Sequence, residues 1–299
     1  MTAGEPPVRI AYSVELAYQV RRPGADFLLN VHAARTPRQV VVRESLQVDQ
    51  PVTTQQYEDA ATSVRLLRFR AQDAGFLVVR YACAVDLYHR SANPHSLFES
   101  AIGDLPGEVL PYLYPSRYCE SDVLNGLAMQ QFGGLAPGYP RVQAISDWVK
   151  AQLQFTADSS CGTTTASQSL AKRQGVCRDF AHLMIALCRA VNVPARFVTG
   201  LDYGADPALG PTDFHAYVEA YVGGRWFLFD PSGTAVPMGL VRIATGRDAA
   251  DCAYATLFGD VAPASRWLTV EAAAGDGGLV RYPVRRTDVL STDDGPGWR

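Results

Sequence analysis

The chain lacks a strong excess of charge and a long apolar run. Its 27 basic and 30 acidic residues give a formal net charge of −3 over 299 residues. Such a balance provides no general attraction to nucleic acid or to an anionic membrane. No apolar run approaches the roughly 20 residues that a membrane-spanning helix needs. We therefore expect neither nucleic acid nor membrane as a partner.

Cysteine is scarce, and the opening residues lack the features of a secretory signal. Met-Thr-Ala-Gly-Glu-Pro-Pro contains no basic start followed by an apolar stretch. Cytoplasm is then the expected location, where reducing conditions favour six free thiols over disulfides. Internal repeats and low-complexity tracts are also absent from the sequence.

The chain does have enough apolar residues for a large core, at 47% of the total, and a length that favours more than one domain. Up to about residue 90 it alternates strand-like segments with turns rich in Pro, Gly, Asp and Asn, which is typical of a small β-sandwich. Turn-forming residues at 91–96 and 104–107 predict a linker. We predict an N-terminal β-rich domain over 1–103 and a catalytic domain over 104–299. The predicted strands cover 8–20, 27–32, 39–48, 64–70 and 76–87.

Beyond the linker the apolar spacing becomes helical. One stripe follows Ser121, a predicted N-cap, and ends before Gly133, and a second runs from Val142 to Leu153. Short strands are predicted again at 240–244 and 267–270, and a loose hydrophilic tail near Asp293.

Cys177 lies where a turn becomes a helix. The segment 175–180 reads Gly-Val-Cys-Arg-Asp-Phe, and an apolar helical face follows it as far as Cys188. Unpaired backbone N–H groups and the positive end of the helix dipole favour a thiolate over a thiol at this position. Cys177 is therefore a candidate nucleophile, although a buried structural cysteine fits the same stripe.

His215 and Asp230 are placed together by the arithmetic of a hairpin. Two strand-like segments flank Gly223 and Gly224, and a two-residue turn there pairs Val222 with Arg225. His215 and Asp230 then become diagonal neighbours on one sheet face, about 7 to 8 Å apart at the backbone. A register shift of one residue would place them on opposite faces. Either residue alone would be ordinary strand or turn chemistry, but with Cys177 they predict a catalytic triad.

Other titratable residues near these positions fit a metal site poorly. His182 and Cys188 are six residues apart on one helix and lie on different faces, so they form no chelating pair. His182 is expected to be a core group or a supporting group of the site. Asp179 suits the helix dipole but would oppose a thiolate if it faced Cys177, so we expect it to turn toward Arg178 or a neighbouring loop.

The order Cys177, His215, Asp230 and the motifs around them resemble the transglutaminase-like superfamily. The motifs are Gly-Val-Cys-Arg-Asp-Phe-Ala-His, Asp-Phe-His-Ala-Tyr and Trp-Phe-Leu-Phe-Asp-Pro. The chain is most similar to the bacterial branch of transglutaminase-like enzymes and candidate cysteine proteases. The resemblance implies a papain-like α+β core, with the helix of Cys177 packed against an antiparallel sheet that carries the other two residues.

A triad of this kind implies an acyl-enzyme mechanism on an amide bond of a peptide or protein, including a glutamine side chain. Water as second nucleophile would make the protein a protease or amidase, and an amine would make it a transglutaminase. A non-catalytic protein-binding module that retains the fold is the third possibility. We expect no cofactor and no metal, and the sequence sets no oligomeric state. The segment 202–212, just before His215, is a candidate lid.

Overall fold

The computed structural model describes residues 6–292 except 60, 61, 63, 202, 206, 207, 209 and 210. The predicted tail near Asp293 therefore lies outside the described residues, as do five positions of the predicted lid at 202–212. The N-terminal part consists of strands: β1 (Val8–Val20), β2 (Ala25–Leu29), β3 (Gln39–Val48), β4 (Gln55–Glu58), β5 (Arg65–Ala71), β6 (Gly75–Leu87) and β7 (Arg90–Ala92).

The helices lie in the middle of the chain, with further strands between and after them. In chain order, these elements are α1 (Asn125–Phe132), α2 (Tyr139–Gln152), β8 (Gln154–Phe155), α3 (Ala166–Lys172), β9 (Gln174–Gly175), α4 (Cys177–Ala190), β10 (Ala195–Leu201), β11 (Phe214–Val222), β12 (Arg225–Phe229) and β13 (Arg242–Gly246). The last strands are β14 (Ala255–Phe258), β15 (Val261–Ala273) and β16 (Val289–Ser291). Short 3₁₀ turns lie at Pro94–Ser96, Ile102–Asp104, Leu110–Leu113 and Pro237–Gly239.

The N-terminal strands form two antiparallel sheets, as the alternating apolar pattern predicts. One sheet has the order β15-β1-β6-β3 and the other β14-β2-β5-β4. Every second residue of β1 is buried from Val8 to Leu16, which is the period of a strand with one face in a core. Aromatic rings fill the space inside, with Phe27 stacked on Phe69 at 4.8 Å and Tyr18 edge-on to Phe27 at 5.2 Å.

Two strands of these sheets come from the far end of the chain. β15 pairs antiparallel with β1 from Arg9↔Ala273 to Val20↔Val261, and β14 pairs with β2. β16 likewise pairs with β7, which lies in the segment predicted to be a linker. A division of the chain after residue 103 stays a prediction, but the hydrogen bonds place residues 255–273 in the sheets of the N-terminal strands.

We call the two sheets that contain the N-terminal strands the sandwich, and it is one layer of the molecule. The other layer is the predicted α+β core. Its antiparallel sheet has the order β12-β11-β10-β13, and α4 packs against β10 and β11. The helix is buried from Asp179 to Ala190, because it lies between this sheet and the helices α1, α2 and α3. The fold class predicted from the sequence is confirmed.

The start of α1 differs from the prediction. Ser121 does not cap the helix, since Leu124 occupies the N-cap position and a turn precedes it. The N–H of Leu124 donates to the carbonyl of Glu120, which closes this turn, and Val123 is 65% exposed. The predicted second stripe is confirmed, with Val142, Ile145 and Val149 buried on α2. In the described part of the chain, no helix is long and apolar enough to cross a membrane.

Candidate active site

Cys177 is the first residue of α4. Val176 precedes it in an extended conformation at the N-cap position, so Cys177 lies in the first helical turn. The N–H groups of a first turn have no acceptor within their own helix and point toward whatever lies in front of it. Cys177 is partly exposed, whereas Cys188 at the other end of the helix is buried, and burial raises the pKa of the Cys188 thiol. The helix start therefore presents one accessible thiol.

Asp179 is turned away from the thiol, as expected, and of the two expected directions it does not take the one toward Arg178. Its carboxylate accepts hydrogen bonds from the N–H of Val176 at 2.8 Å and from Ser169 Oγ of α3 at 3.2 Å. It therefore satisfies one of the free N–H groups at the start of its own helix. A side chain on Gly175 would collide with it, because a Cβ there would lie 2.6 Å from Asp179 Cβ. The glycine in the motif is explained by this contact.

The hairpin register predicted from the two glycines is confirmed. Val222 pairs with Arg225, and the ladder continues to Val218↔Phe229. Both Gly223 and Gly224 have positive φ, at 57° and 74°, as a two-residue turn of this type requires. The ladder ends before the level of His215, so Asp230 lies just beyond the end of β12 rather than in a paired position.

The structure brings His215 and Asp230 into direct contact. His215 Nε2 donates to Asp230 Oδ1 at 3.1 Å, and the two side chains are 3% and 2% exposed. Because Asp230 engages Nε2, Nδ1 is the nitrogen left for a partner. Cys177 lies at the start of α4, which packs against β11, the strand of His215, and it contributes to raising the pKa of His215. The three residues predicted from the sequence thus lie in one region of the structure.

Asp230 is held by further donors that the sequence analysis did not identify. Ser232 donates to Oδ1 through its hydroxyl at 2.6 Å and its N–H at 3.2 Å, and the N–H of Ala235 donates to Oδ2 at 2.9 Å. A serine two residues after an aspartate is a frequent turn pattern, which is the signal that points to Ser232. These bonds fix the carboxylate in the orientation that meets the imidazole.

The electrostatics of the pair favour a charged imidazole. Burial lowers the pKa of His215, but the charge and hydrogen bond of Asp230, with a smaller effect of Cys177, raise it well above its usual value. Burial conversely raises the pKa of Asp230, and the charge and hydrogen bond of His215, helped by Ser232 and Ala235, lower it below its usual value. An imidazole of this kind can hold the proton that a neighbouring thiol gives up.

Cys161 is a second accessible thiol near the start of α4. It is exposed, and its Sγ lies 3.2 Å from Thr163 Oγ1 and 3.5 Å from Thr164 Oγ1. Hydrogen bonds from these hydroxyls lower the pKa of Cys161 to about 6. Arg178, the chain neighbour of Cys177, donates to the carbonyl of Cys161 at 2.7 Å. No histidine contacts this thiol in the described part of the chain, whereas Cys177 lies near His215.

His182 is a core residue. Its ring stacks on Tyr118 with centroids 5.0 Å apart, and its Nε2 accepts from the N–H of Ala249 at 3.2 Å. Burial lowers the pKa of His182 well below its usual value, so the ring is neutral. Among the described residues, no group of three or more His, Cys, Asp or Glu side chains is arranged to hold a metal ion.

Two family models match the chain. That of the transglutaminase-like superfamily matches residues 125–231, which include Cys177, His215 and Asp230. That of the bacterial transglutaminase N-terminal domain matches residues 9–108. The two matches cover the core and most of the sandwich.

The chain is also similar to a solved structure and to curated relatives. A candidate cysteine protease from Cytophaga hutchinsonii is 36% identical, with a TM-score of 0.86, over 95% of this chain and 97% of that one. An uncharacterized protein of Mycobacterium leprae is 30% identical over 117 residues, which are 38% of this chain and 42% of the relative. One from Mycobacterium tuberculosis is 30% identical over 129 residues, or 38% of this chain and 41% of the relative. The chain thus spans less than half the length of these curated relatives.

Proposed function

The chain belongs to the transglutaminase-like superfamily, and we propose that it is a thiol enzyme that cleaves amide bonds through a Cys177–His215–Asp230 triad. The favoured activity is that of a cysteine protease or amidase. Similarity along nearly the whole length of a candidate cysteine protease supports this choice. Acyl transfer to an amine is the alternative, and it is supported by the match to the bacterial transglutaminase N-terminal domain.

The observation that carries the proposal is the 3.1 Å contact between His215 and Asp230, in a buried site beside the thiol at the start of α4. A buried histidine without a carboxylate would be neutral and poorly oriented. Here the carboxylate favours the protonated ring and fixes which nitrogen faces the thiol. The same division of roles is found in cysteine and serine hydrolases on unrelated folds.

The first half of the reaction forms an acyl-enzyme. The Cys177 thiol gives its proton to His215 Nδ1, and the thiolate attacks the amide carbonyl carbon. The N–H of Cys177, free at the helix start, is positioned to donate to the oxyanion that develops. The C–N bond then breaks, His215 passes the proton to the leaving nitrogen, and a thioester remains on Cys177.

The second half decides between the two activities. His215 takes a proton from water or from an amine, and that nucleophile attacks the thioester. The C–S bond breaks, and the thiolate of Cys177 leaves. Water gives an acid and therefore hydrolysis, whereas an amine gives a new amide and therefore transglutamination.

The proposed partner is a peptide or protein that offers an amide bond or a glutamine side chain. We propose that the reaction takes place in the cytoplasm and involves no nucleic acid, membrane or cofactor. A non-catalytic binding module would keep the fold but would have no use for a buried carboxylate aligned on the imidazole. The triad geometry therefore favours the enzyme.

The test is incubation of the wild type and Cys177→Ala with a library of glutamine-containing peptides, with and without a primary amine. Mass spectrometry reads the products. We expect cleaved or deamidated peptides that depend on Cys177, which establish hydrolysis. A mass gain equal to the amine minus ammonia would instead establish acyl transfer. The chain itself contains two lysines, Lys150 and Lys172, so few acceptor amines come from the enzyme.

Cys161→Ser is the matched control, because it removes the other accessible thiol and leaves the triad intact. It should give the products of the wild type. Products that persist in Cys177→Ala, or that disappear in Cys161→Ser, would contradict the proposed role of Cys177.

A further inference from the structure

The strand that carries His215 is tied at its start to the sandwich. Arg266 lies on β15, which pairs with β1 of the N-terminal sheet. Its guanidinium forms an ion pair with Asp213, two residues before His215. A strand that follows the core in the sequence therefore reaches back to the site from the other layer of the molecule.

An aromatic contact accompanies the ion pair. The ring of Tyr254 stacks on Phe214, with centroids 4.4 Å apart and planes 11° from parallel. Arg266 donates to the Tyr254 hydroxyl at 3.1 Å. The carbonyl of Tyr254 accepts from the N–H of Asn30, next to β2, at 2.9 Å. Both residues before His215 are thus held by groups whose backbones belong to the sandwich.

The start of β11 has backbone pairing on one side only. β10 pairs with β11 along 214–220, whereas β12 pairs with it only along 218–222. The residues at 214–217 therefore lack the second ladder that holds the rest of the strand. Their position depends more on side-chain contacts than that of a residue paired on both sides.

Asp213 transmits the contact to the backbone. One carboxylate oxygen meets Arg266, and the other accepts from the N–H of Phe214 at 2.6 Å. Burial raises the pKa of the Asp213 carboxyl, and the charge of Arg266 acts against that rise. Arg266 thus favours the ionised form of a half-buried carboxylate at the start of the strand that carries His215.

We propose that Arg266 is a positioning residue, which holds the Asp213–Phe214 end of β11 against the sandwich and so keeps His215 in line with both Asp230 and Cys177. The inference rests on the proposed function of the triad. It gives the sandwich a part in catalysis, although Arg266 itself contacts Asp213 and Tyr254 and not the reacting atoms.

The experiment measures the rate at which iodoacetamide alkylates Cys177, across the pH range in which thiols ionise. All proteins carry Cys161→Ser, since the remaining cysteines 83, 119, 188 and 252 are buried. The variants are Arg266→Ala, Arg266→Lys, Asp213→Asn and the double variant that combines Arg266→Ala with Asp213→Asn. Arg70→Ala is the control, because it breaks the exposed Arg70–Asp26 pair of the same sandwich.

We expect Arg266→Ala to slow alkylation below neutral pH by about tenfold to a hundredfold, the scale of a misplaced catalytic group. Asp213→Asn should give the same loss, and the double variant no more than either, since both act through one contact. Arg266→Lys should recover part of the rate. Arg70→Ala should stay within about twofold of its parent, because its partner Asp26 lies on β2 and not beside the strand of His215.

A wild-type pH profile in Arg266→Ala, or additive losses in the double variant, would overturn the proposal. Circular dichroism checks that each variant is folded, and if Arg266→Ala is not, Asp213→Asn carries the same test. His215→Ala distinguishes a failure of the proposed triad from a failure of the proposed role of Arg266. If it alkylates as fast as its parent, the triad itself is refuted and the role of Arg266 with it.

Discussion

Two opposing effects act on the imidazole of His215. Burial removes water and lowers its pKa, as it does at His182, where the charges of Arg178 and Arg189 lower the pKa further and the ring is neutral. At His215 the charge and hydrogen bond of Asp230, with a smaller effect of Cys177, outweigh burial and raise the pKa well above the usual value. The opposite shifts of these two buried histidines therefore follow from the charges around each ring.

Asp230→Asn tests this balance. The amide has no charge to offset burial, so the pKa of His215 should fall and the ring should become neutral and less well oriented. We expect acyl-enzyme formation to slow by about a hundredfold or more, as in other triads. The loss should be largest below neutral pH, where only a basic imidazole can take the thiol proton. Stopped-flow measurement of thioester formation against pH checks this.

Asp251→Asn is the control for Asp230→Asn, since Asp251 pairs with Arg247 at the surface and not with the triad. Equal rates for Asp230→Asn and the wild type would show that the carboxylate has no catalytic effect.

The candidate residues could be predicted from the sequence because the signals are local. A helix start reveals Cys177, and two glycines set the register that brings His215 near Asp230. Arg266 carries no such signal, because its contact with Asp213 spans 53 residues and depends on how two layers pack. The contact of Asp179 with Ser169 was not predicted for a similar reason, since Ser169 lies on another helix.

At the scale of elements, the β11–β12 hairpin depends on its two glycines in different ways. Both have positive φ, but a Cβ on Gly223 would lie 2.7 Å from Leu97 Cδ2, while one on Gly224 would meet nothing within 4 Å. The N–H of Gly223 also donates to the carbonyl of Phe98 at 2.7 Å. One turn residue therefore packs against the segment after β7, and the other faces open space.

Gly224→Ala should lower the free energy of unfolding by about 1 kcal/mol, the cost of a left-handed backbone for a residue with a Cβ. Gly223→Ala should cost about 2 kcal/mol, since Leu97 must also move. Urea unfolding of the two variants gives the difference directly. Equal losses would show that the contact with Leu97 has no energetic effect.

The boundaries of the elements were predictable where the apolar pattern is regular. β1 and β3 match their predicted ranges, and the five observed pairs of the hairpin match the predicted register. β4 was missed because its four residues are all exposed, which leaves no apolar alternation to find. The start of α1 was misplaced because a turn at Glu120 to Leu124 replaces the expected cap.

At the scale of the whole molecule, the sandwich and the core form one continuous hydrophobic cluster. β14 and β15 follow the core in the sequence and pair with strands of the sandwich. Such pairing joins residues as far apart as Arg9 and Ala273. Sequence patterns of period two identify a strand but do not identify its partner, so this closure was not predicted. Its consequence is that the site is bordered by both layers.

The two sheets of the sandwich are joined by a charged cluster. Glu44 of β3 accepts from Arg65 of β5 at 2.8 Å and from the Tyr81 hydroxyl of β6 at 2.7 Å. The Arg65 side chain is 1% exposed, so Glu44 supplies the opposite charge that compensates its buried guanidinium. The hydrogen bond of Arg65 lowers the pKa of Glu44 to about 2, against the effect of burial.

This lowered pKa predicts that the protein loses stability in acid. Because the folded-state pKa is lowered, the contribution of Glu44 is fully present above the ordinary carboxyl pKa of about 4.3 and is lost as the pH falls toward about 2. Allowing for partial exposure, we expect a loss of about 1 to 2 kcal/mol over this window. Chemical denaturation at several pH values should show this slope in the wild type and a flatter one in Glu44→Gln.

Glu44→Gln should also be less stable at neutral pH, by about 2 kcal/mol, because it leaves a buried guanidinium without its charge partner. Asp26→Asn is the control, as it removes an exposed carboxylate whose partner Arg70 is open to solvent. If the free energy of unfolding fell equally with pH in the wild type and in Glu44→Gln, other carboxylates would be the cause of the acid loss.

The most direct test of the account is to locate the acyl group. The protein is treated with an activated ester such as p-nitrophenyl acetate, quenched in acid, and mapped by mass spectrometry after proteolysis. We predict a thioester on Cys177 that is unchanged by Cys161→Ser and strongly reduced by His215→Ala. An acyl group on another residue, or one on Cys177 that forms equally fast without His215, would contradict it.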